Sequence, residues 1–363
     1  MKKSLLLLII FSFAFMLFAD DAHVECYGGG VGTVNSDRQY YQLVQDEDIA
    51  MTAEHVLITM YEDYYTVDAR FWLKNEGEAK TIEIGFPENI WEWHNGRHYL
   101  EDFETFVDDE KVQVKRFENP DNDRIELFWY VKQVHFEKNQ TRQTRVKYKC
   151  PYGVTASGLY FGIDGFFDYI YGTGKSWKGP IGKITVDIKN LATSKYIMQV
   201  CFLQKEYGSL DSYGHSDYQP LPEDSFTFNW ITPDTFRLEA ENVEPESAEE
   251  SVAITIHSFD YEGTGWLTAE GFEGKTAVNA RSDFTKAFLR YNLCFFTEKQ
   301  LRLARNDFYA LYGRSFKDKE LKSFYESIAG YKVNKKYSDD LLSAEEKEIV
   351  NKIIDIENER KIK

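Results

Sequence analysis

Four side chains, Arg302, Arg305, Tyr309 and Tyr312, have the types and the spacing to recognise a partner. They recur at three- or four-residue intervals, so a helix would carry two guanidinium groups and two phenol rings on one face. Such a face suits an anionic or glycan partner. The same groups can also satisfy one another by Arg–Tyr stacking, or pair with Asp307 and Glu326. Trp91 and Trp93 lie two apart, so on a strand both indoles project to one side. That arrangement fits a flat sugar, and equally a pair of core rings. His94 and His98 would share a face only on a helix, and the intervening Asn95-Gly96 breaks helices, which argues against a metal site.

Signatures of catalysis are missing. The chain has no G-x-S-x-G, no H-E-x-x-H and no cysteine in a protease context. Asp46-Glu47-Asp48 and Asp121-Asn122-Asp123 lack the twelve-residue calcium-loop pattern and read as solvated turns. Gly28-Gly29-Gly30-Val31-Gly32 lacks the ending of a phosphate loop and reads as a flexible leader segment. Cys26, Cys150, Cys201 and Cys294 are far apart, with no C-x-x-C pair. An oxidising destination permits two disulfides in three pairings. Cys150 and Cys201, both in strand-like segments, are the favoured pair, and four buried thiols are the other reading. No cofactor and no metal are implied.

These residues must be positioned by two kinds of element. From about residue 53 to 258 apolar side chains alternate with polar ones, the period of half-buried strands. Asn75–Glu78 predicts a turn that folds 65–86 into a hairpin, and Asp108-Asp109-Glu110 predicts a second, between 103–107 and 112–117. Trp177 lies in a glycine-rich turn that buries its ring and launches a strand over 183–189. The high content of Tyr (24) and Phe (27) fits a pleated core. After residue 296 the period becomes helical. Thr297 with Gln300, and Ser343 with Glu346, are capping boxes, and Gly313 is a helix stop. Leu301, Ala304, Phe308 and Leu311 form the apolar stripe of the first helix. A second starts at Asp318, and a third buries Ile349, Val350 and Ile353.

The first nineteen residues have the order of a secretory signal: Lys2-Lys3, an apolar run from Leu5 to Phe18, then Ala19 before Asp20-Asp21. The run is too short to span a bilayer, and no later segment is apolar enough. Net charge is −17 for the whole chain. It is uneven: residues 20–296 carry 26 basic and 47 acidic side chains, whereas residues 297–363 carry 15 and 13. An acidic body argues against nucleic acid and against simple attraction to anionic lipid.

The C-terminal region resembles the YARHG module, a small domain of exported bacterial proteins. The matching positions are Leu301-Arg302, Arg305-Asn306-Asp307, Tyr309-Ala310, Gly313, Phe316, Leu342-Ser343 and Glu346. Two namesake positions depart, because Leu311 and Tyr312 stand where the family has Arg and His. The resemblance implies an extracytoplasmic location and a role in binding or envelope association. Val67–Pro87 and Thr173–Lys183 are faintly similar to exported bacterial β-domains, which implies a sandwich fold.

The expected organisation is a leader over 1–19, an antiparallel β-sandwich body over 20–275, a linker over 276–296 and a helical YARHG-like domain over 297–363. The body would be one sandwich or two, divided near residue 150. Three functions remain open. The first is a non-enzymatic binding protein of the envelope or exterior, its partner a cell-wall glycan or another envelope protein. The second is a wall or polysaccharide hydrolase with a carboxylate pair in a β-cleft, and the third a structural accessory protein.

Overall fold

The computed structural model describes residues 28–29, 32–34, 43–91, 100–119, 125–153, 165–203, 226–246, 250–258, 277–288, 293–328 and 330–362. The expected leader, Cys26, Trp93, His94, His98 and the Asp121–Asp123 turn lie outside these residues. The side chains of Trp91 and Cys201 do too, although their backbones are described.

The fold is mainly β with a helical C-terminal segment. The strands are β1 (Gly28–Gly29), β2 (Gly32–Val34), β3 (Ile49–Met60), β4 (Tyr64–Asn75), β5 (Lys80–Trp91), β6 (Glu101–Val107), β7 (Glu110–Val112) and β8 (Lys115–Asn119). They continue with β9 (Ile125–Phe136), β10 (Thr141–Pro151), β11 (Gly165–Ile170), β12 (Ile181–Asn190), β13 (Lys195–Leu203), β14 (Thr227–Thr232), β15 (Thr235–Val243) and β16 (Ser251–Ser258). The helices are α1 (Ala277–Phe288), α2 (Glu298–Leu311), α3 (Lys319–Ser327) and α4 (Ala344–Ile362).

One eight-stranded sheet runs β14-β15-β12-β3-β4-β10-β6-β7, and two four-stranded sheets run β1-β11-β16-β13 and β2-β5-β9-β8. Strands from before and after residue 150 share the large sheet. Its pairing is antiparallel except between β12 and β3, which run parallel with Val186 opposite Val56, a departure from the all-antiparallel expectation. The period-two pattern then builds the core: Val56, Ile58, Val67, Ala69, Val146, Tyr148, Val186, Ile188 and Leu238 share one buried face. Both small sheets cover that face. Phe167 of β11 stacks on Tyr65 at 4.7 Å, and Phe86 of β5 meets Tyr148 at 5.6 Å. Trp177 is buried as expected, ahead of β12. The Asp46–Asp48 loop is a structural turn, with Asp46 accepting from the Asp48 and Ile49 amides and from Lys80.

The turn at Asp108-Asp109 forms, but its second arm is only Glu110–Val112, because Lys115–Asn119 pairs with β9 in another sheet instead of extending the expected 112–117 arm. Asp108 and Asp109 have positive φ (49° and 64°), the two-residue hairpin that suits strand twist. The 65–86 hairpin does not form. β4 is hydrogen-bonded along its length to β3 on one side and β10 on the other, so β5 has no edge to join and passes to another sheet. Gly28 and Gly32, expected in a flexible leader segment, instead pair with strands, Gly28 opposite Tyr169 and Gly32 opposite Gly85.

Residues read as a linker form α1 and a short 3-10 turn, Leu293–Phe295. The remaining helices follow the sequence signals. Thr297 and Gln300 make the reciprocal capping box, Asp318 caps α3 through the Leu321 amide, and Ser343 and Glu346 make the second box. A second core forms between the helices and includes Tyr196 and Met198 of β13, which joins the helical segment to the sandwich.

Candidate functional site

The helical segment is held by a buried ion pair. Arg281 of α1 donates Nε to Asp307 Oδ2 at 2.6 Å and Nη2 to Asp307 Oδ1, and the Tyr325 hydroxyl adds a 2.8 Å bond to Asp307. Burial pushes the Asp307 carboxyl up to about 6, against the pull of Arg281 and Tyr325. Arg281 escaped the sequence reading because its helix was taken for a linker. The available signal was Thr276, an N-cap residue type, ahead of Val278, Arg281, Ser282 and Thr285 at helical spacing.

The structure disperses most of the predicted recognition stripe into intramolecular contacts. Arg302 pairs with Asp318 at 2.9 Å and Glu320 at 3.0 Å, not with Asp307 or Glu326. Arg305 donates Nη2 to Glu357 at 3.2 Å. Tyr309 is buried, with the Arg314 guanidinium 4.4 Å over its ring. The Tyr312 hydroxyl donates to Glu346 Oε2 at 2.8 Å. Burial raises the Glu346 carboxyl, yet the Ser343 amide, Tyr312 and Lys286 together hold it below the usual range.

Tyr312 lines a cleft. The cleft has a volume of about 420 Å³ and lies between α1 (Val278, Asn279), the end of α2 (Ala310, Leu311, Tyr312, Gly313), the loop Gly330–Lys332 with Asn334, and Leu341. That volume falls in the range of small-molecule sites, roughly 300–1,000 Å³. Gly313 makes the geometry possible. Its φ is +77°, and a Cβ there would meet the Lys332 carbonyl oxygen at 2.5 Å and the Asn334 nitrogen at 2.7 Å. The close approach lets the Asn334 amide donate to the Gly313 carbonyl at 2.8 Å, while Asn334 Nδ2 donates to the Tyr312 carbonyl at 3.3 Å. The Tyr331 hydroxyl closes the strap on the Arg314 carbonyl. One wall of the cleft is thus a loop fastened to the end of α2.

The body offers less. At Trp91 only the strand backbone is described. Glu88, fully buried, accepts the Leu100 amide at 2.6 Å and the Tyr130 hydroxyl at 2.8 Å, which fixes where the chain re-enters after residue 99. Cys150 is a buried free thiol and Cys294 a free, half-buried one, so the expected Cys150–Cys201 bridge is not made in this structure. Cys150 belongs to β10 of the large sheet and Cys201 to β13 of a small one. Among the described residues no three His, Cys, Asp or Glu side chains gather where a metal ion could bind. Nor, among them, is any helix long and apolar enough to cross a membrane.

The YARHG domain family model matches residues 282–358, so the match takes in most of α1 as well as the three later helices. No curated protein matches the chain. Among solved structures, a Legionella pneumophila protein provisionally described as nutrient binding aligns over 93% of this chain and 100% of its own, at 19% identity and a TM-score of 0.49. An M1 zinc metallopeptidase of Deinococcus radiodurans aligns over 59% of this chain and 43% of its own, at 8% identity and a TM-score of 0.28. The yeast LTA4 hydrolase covers 61% of this chain and 31% of its own, at 11% identity and a TM-score of 0.29.

Proposed function

We propose that this is an exported, non-enzymatic binding protein of the cell envelope or exterior, and that the cleft at the end of α2 is where it binds. One observation carries the reading. The YARHG match includes Tyr309-Ala310-Leu311-Tyr312-Gly313 at the end of α2, and four of these five residues, Ala310 to Gly313, line the cleft. The positions that give the family its name therefore surround a cavity of ligand size. The leader-like first nineteen residues, and the occurrence of this module in exported proteins, support delivery outside the cytoplasm. The hydrolase alternative requires two carboxyls facing one cavity, and no Asp or Glu lines this one.

The test uses the mature protein and a variant that plugs the cleft without entering the core. Asn279 is exposed on α1 and faces the cleft, so Asn279→Trp fills it from the rim. Co-sedimentation with purified envelope should fall at least about tenfold in the variant while its melting temperature is kept. Undiminished co-sedimentation of a folded Asn279→Trp protein would refute the site.

A further inference from the structure

The lining of the cleft is chemically one-sided. Among the described residues Lys332 is the only Lys or Arg lining it, and no acid does. The surrounding segment, residues 313–337, has seven basic residues against three acidic ones, on a chain whose net charge is −17. Lys332, Lys335 and Lys336 are exposed. The acids that follow are already engaged. Asp339 accepts the Tyr337 hydroxyl at 2.6 Å, and Asp340 accepts Ser338 Oγ at 3.1 Å and lies 4.0 Å from Lys347. Among the described residues Lys332 is thus the one cation lining a concave site that no acid lines.

The other lining groups restrict what the anion is attached to. Tyr312 and Tyr331 both line the cleft, their hydroxyls spent on Glu346 and the Arg314 carbonyl and the Tyr331 ring packed 5.8 Å from that of Tyr325. Asn279 and Asn334 also line the cleft, and the Asn334 side chain braces its wall, Nδ2 donating to the Tyr312 carbonyl at 3.3 Å and Oδ1 accepting from the Lys336 amide at 2.9 Å. A ring face beside one cation suits a pyranose bearing a single carboxylate. Charge at long range selects further. The acidic body repels a dense polyanion, so a chain with widely spaced charges is favoured over nucleic acid or polyphosphate.

We propose that the cleft binds a carboxylate-bearing sugar unit of an acidic glycan, with the carboxylate on Lys332 Nζ and the ring against Tyr312 and Tyr331. This rests on the binding reading above and names its ligand class. The experiment is calorimetric titration of the mature protein with three probes at low and moderate salt. The probes are a hyaluronan tetrasaccharide, neutral chitotetraose of the same length, and tetraglutamate peptide. The acidic tetrasaccharide should bind at least about tenfold more tightly than chitotetraose, and Lys332→Met, an exposed position, should erase that difference. Salt should weaken only the acidic probe. Equal affinity for chitotetraose, an unaffected Lys332→Met variant, or equally tight tetraglutamate would each overturn the proposal. Envelope binding that Asn279→Trp abolishes, with no acidic tetrasaccharide bound, would sink the ligand class and leave the binding reading standing. Loss of both would sink the two together.

Discussion

Glu54 sits on the inward face of β3, in register with Val56 and Ile58, where water cannot reach it. Burial raises its carboxyl to about 8, and the Tyr169 hydroxyl donates to its Oε1 at 2.5 Å. The sign for stability follows. Unfolded, the group ionises near 4.5; folded, it keeps its proton to about 8. Its contribution is therefore full below about pH 4.5 and is lost as pH rises toward 8. Glu54→Gln keeps the acceptor for Tyr169 and removes the ionisation. Urea denaturation at pH 5 and pH 8.5 should show a smaller loss in the variant than in the wild type, each pKa unit being worth about 1.4 kcal/mol. The parity that buries residue 54 is visible in the sequence, since it shares the alternation of Val56 and Ile58. The proton is not, because it depends on how completely two sheets exclude water. Arg281 and Asp307 teach the same lesson, their partnership spanning 26 residues and one unrecognised helix. Arg281→Met should cost about 3–5 kcal/mol in denaturant midpoint terms, because it strands a buried carboxylate. A loss under about 1 kcal/mol would mean that Asp307 is not held by this pair.

Helices and hairpins were legible wherever a local device specified them. Thr297 and Gln300 mark a helix start because their bonds close within four residues, and Gly313 marks a stop because αL backbone favours glycine. Asp108-Asp109 made its hairpin for the same local reason. Asp109→Gly should stabilise the protein by about 0.5–1 kcal/mol, by relieving a left-handed residue that is exposed. The turn after β4 looked equivalent and was not. Asn75 Nδ2 donates to the Glu78 carbonyl at 2.8 Å and to the Glu137 carbonyl at 3.1 Å, so the turn serves a crossing between sheets. Which strand lies beside which is decided by competition for edges, and spacing does not encode that. The cleft depends on one such local device. Gly313→Ala should cost about 1–3 kcal/mol and, by pushing away the 332–334 strap, should also weaken envelope binding. Differential scanning fluorimetry and co-sedimentation read the two effects separately.

For the molecule as a whole, the expected bead-and-linker picture gives way to a shared interior. Phe295 belongs to the sandwich core and its neighbour Phe296 to the helical core. Near the end of α4, the Arg360 guanidinium stacks 3.8 Å over Trp230 of β14 and donates to the carbonyls of Cys294 and Phe296, each at 2.7 Å. Gln300 donates to the Lys195 carbonyl at 2.9 Å, and the Glu298 amide to the Pro233 carbonyl at 2.9 Å. Body and helices should therefore unfold in one calorimetric transition. Arg360→Ala should lower its midpoint and speed amide exchange in the last turns of α4. Two separated transitions in the wild-type protein would restore the picture of independent domains. α1 packs on α2 through Val278 in the helical core and through the Arg281–Asp307 pair, tertiary contacts that spacing along the chain does not disclose.

The most direct test of the binding site is hydrogen–deuterium exchange of the mature protein, with and without envelope glycan released enzymatically into solution. Protection should concentrate in residues 310–313 and 330–334, the two walls that meet at Gly313. Protection centred on β4 and β10 of the large sheet, or no protection under conditions where binding is measured, would contradict the assignment of the cleft.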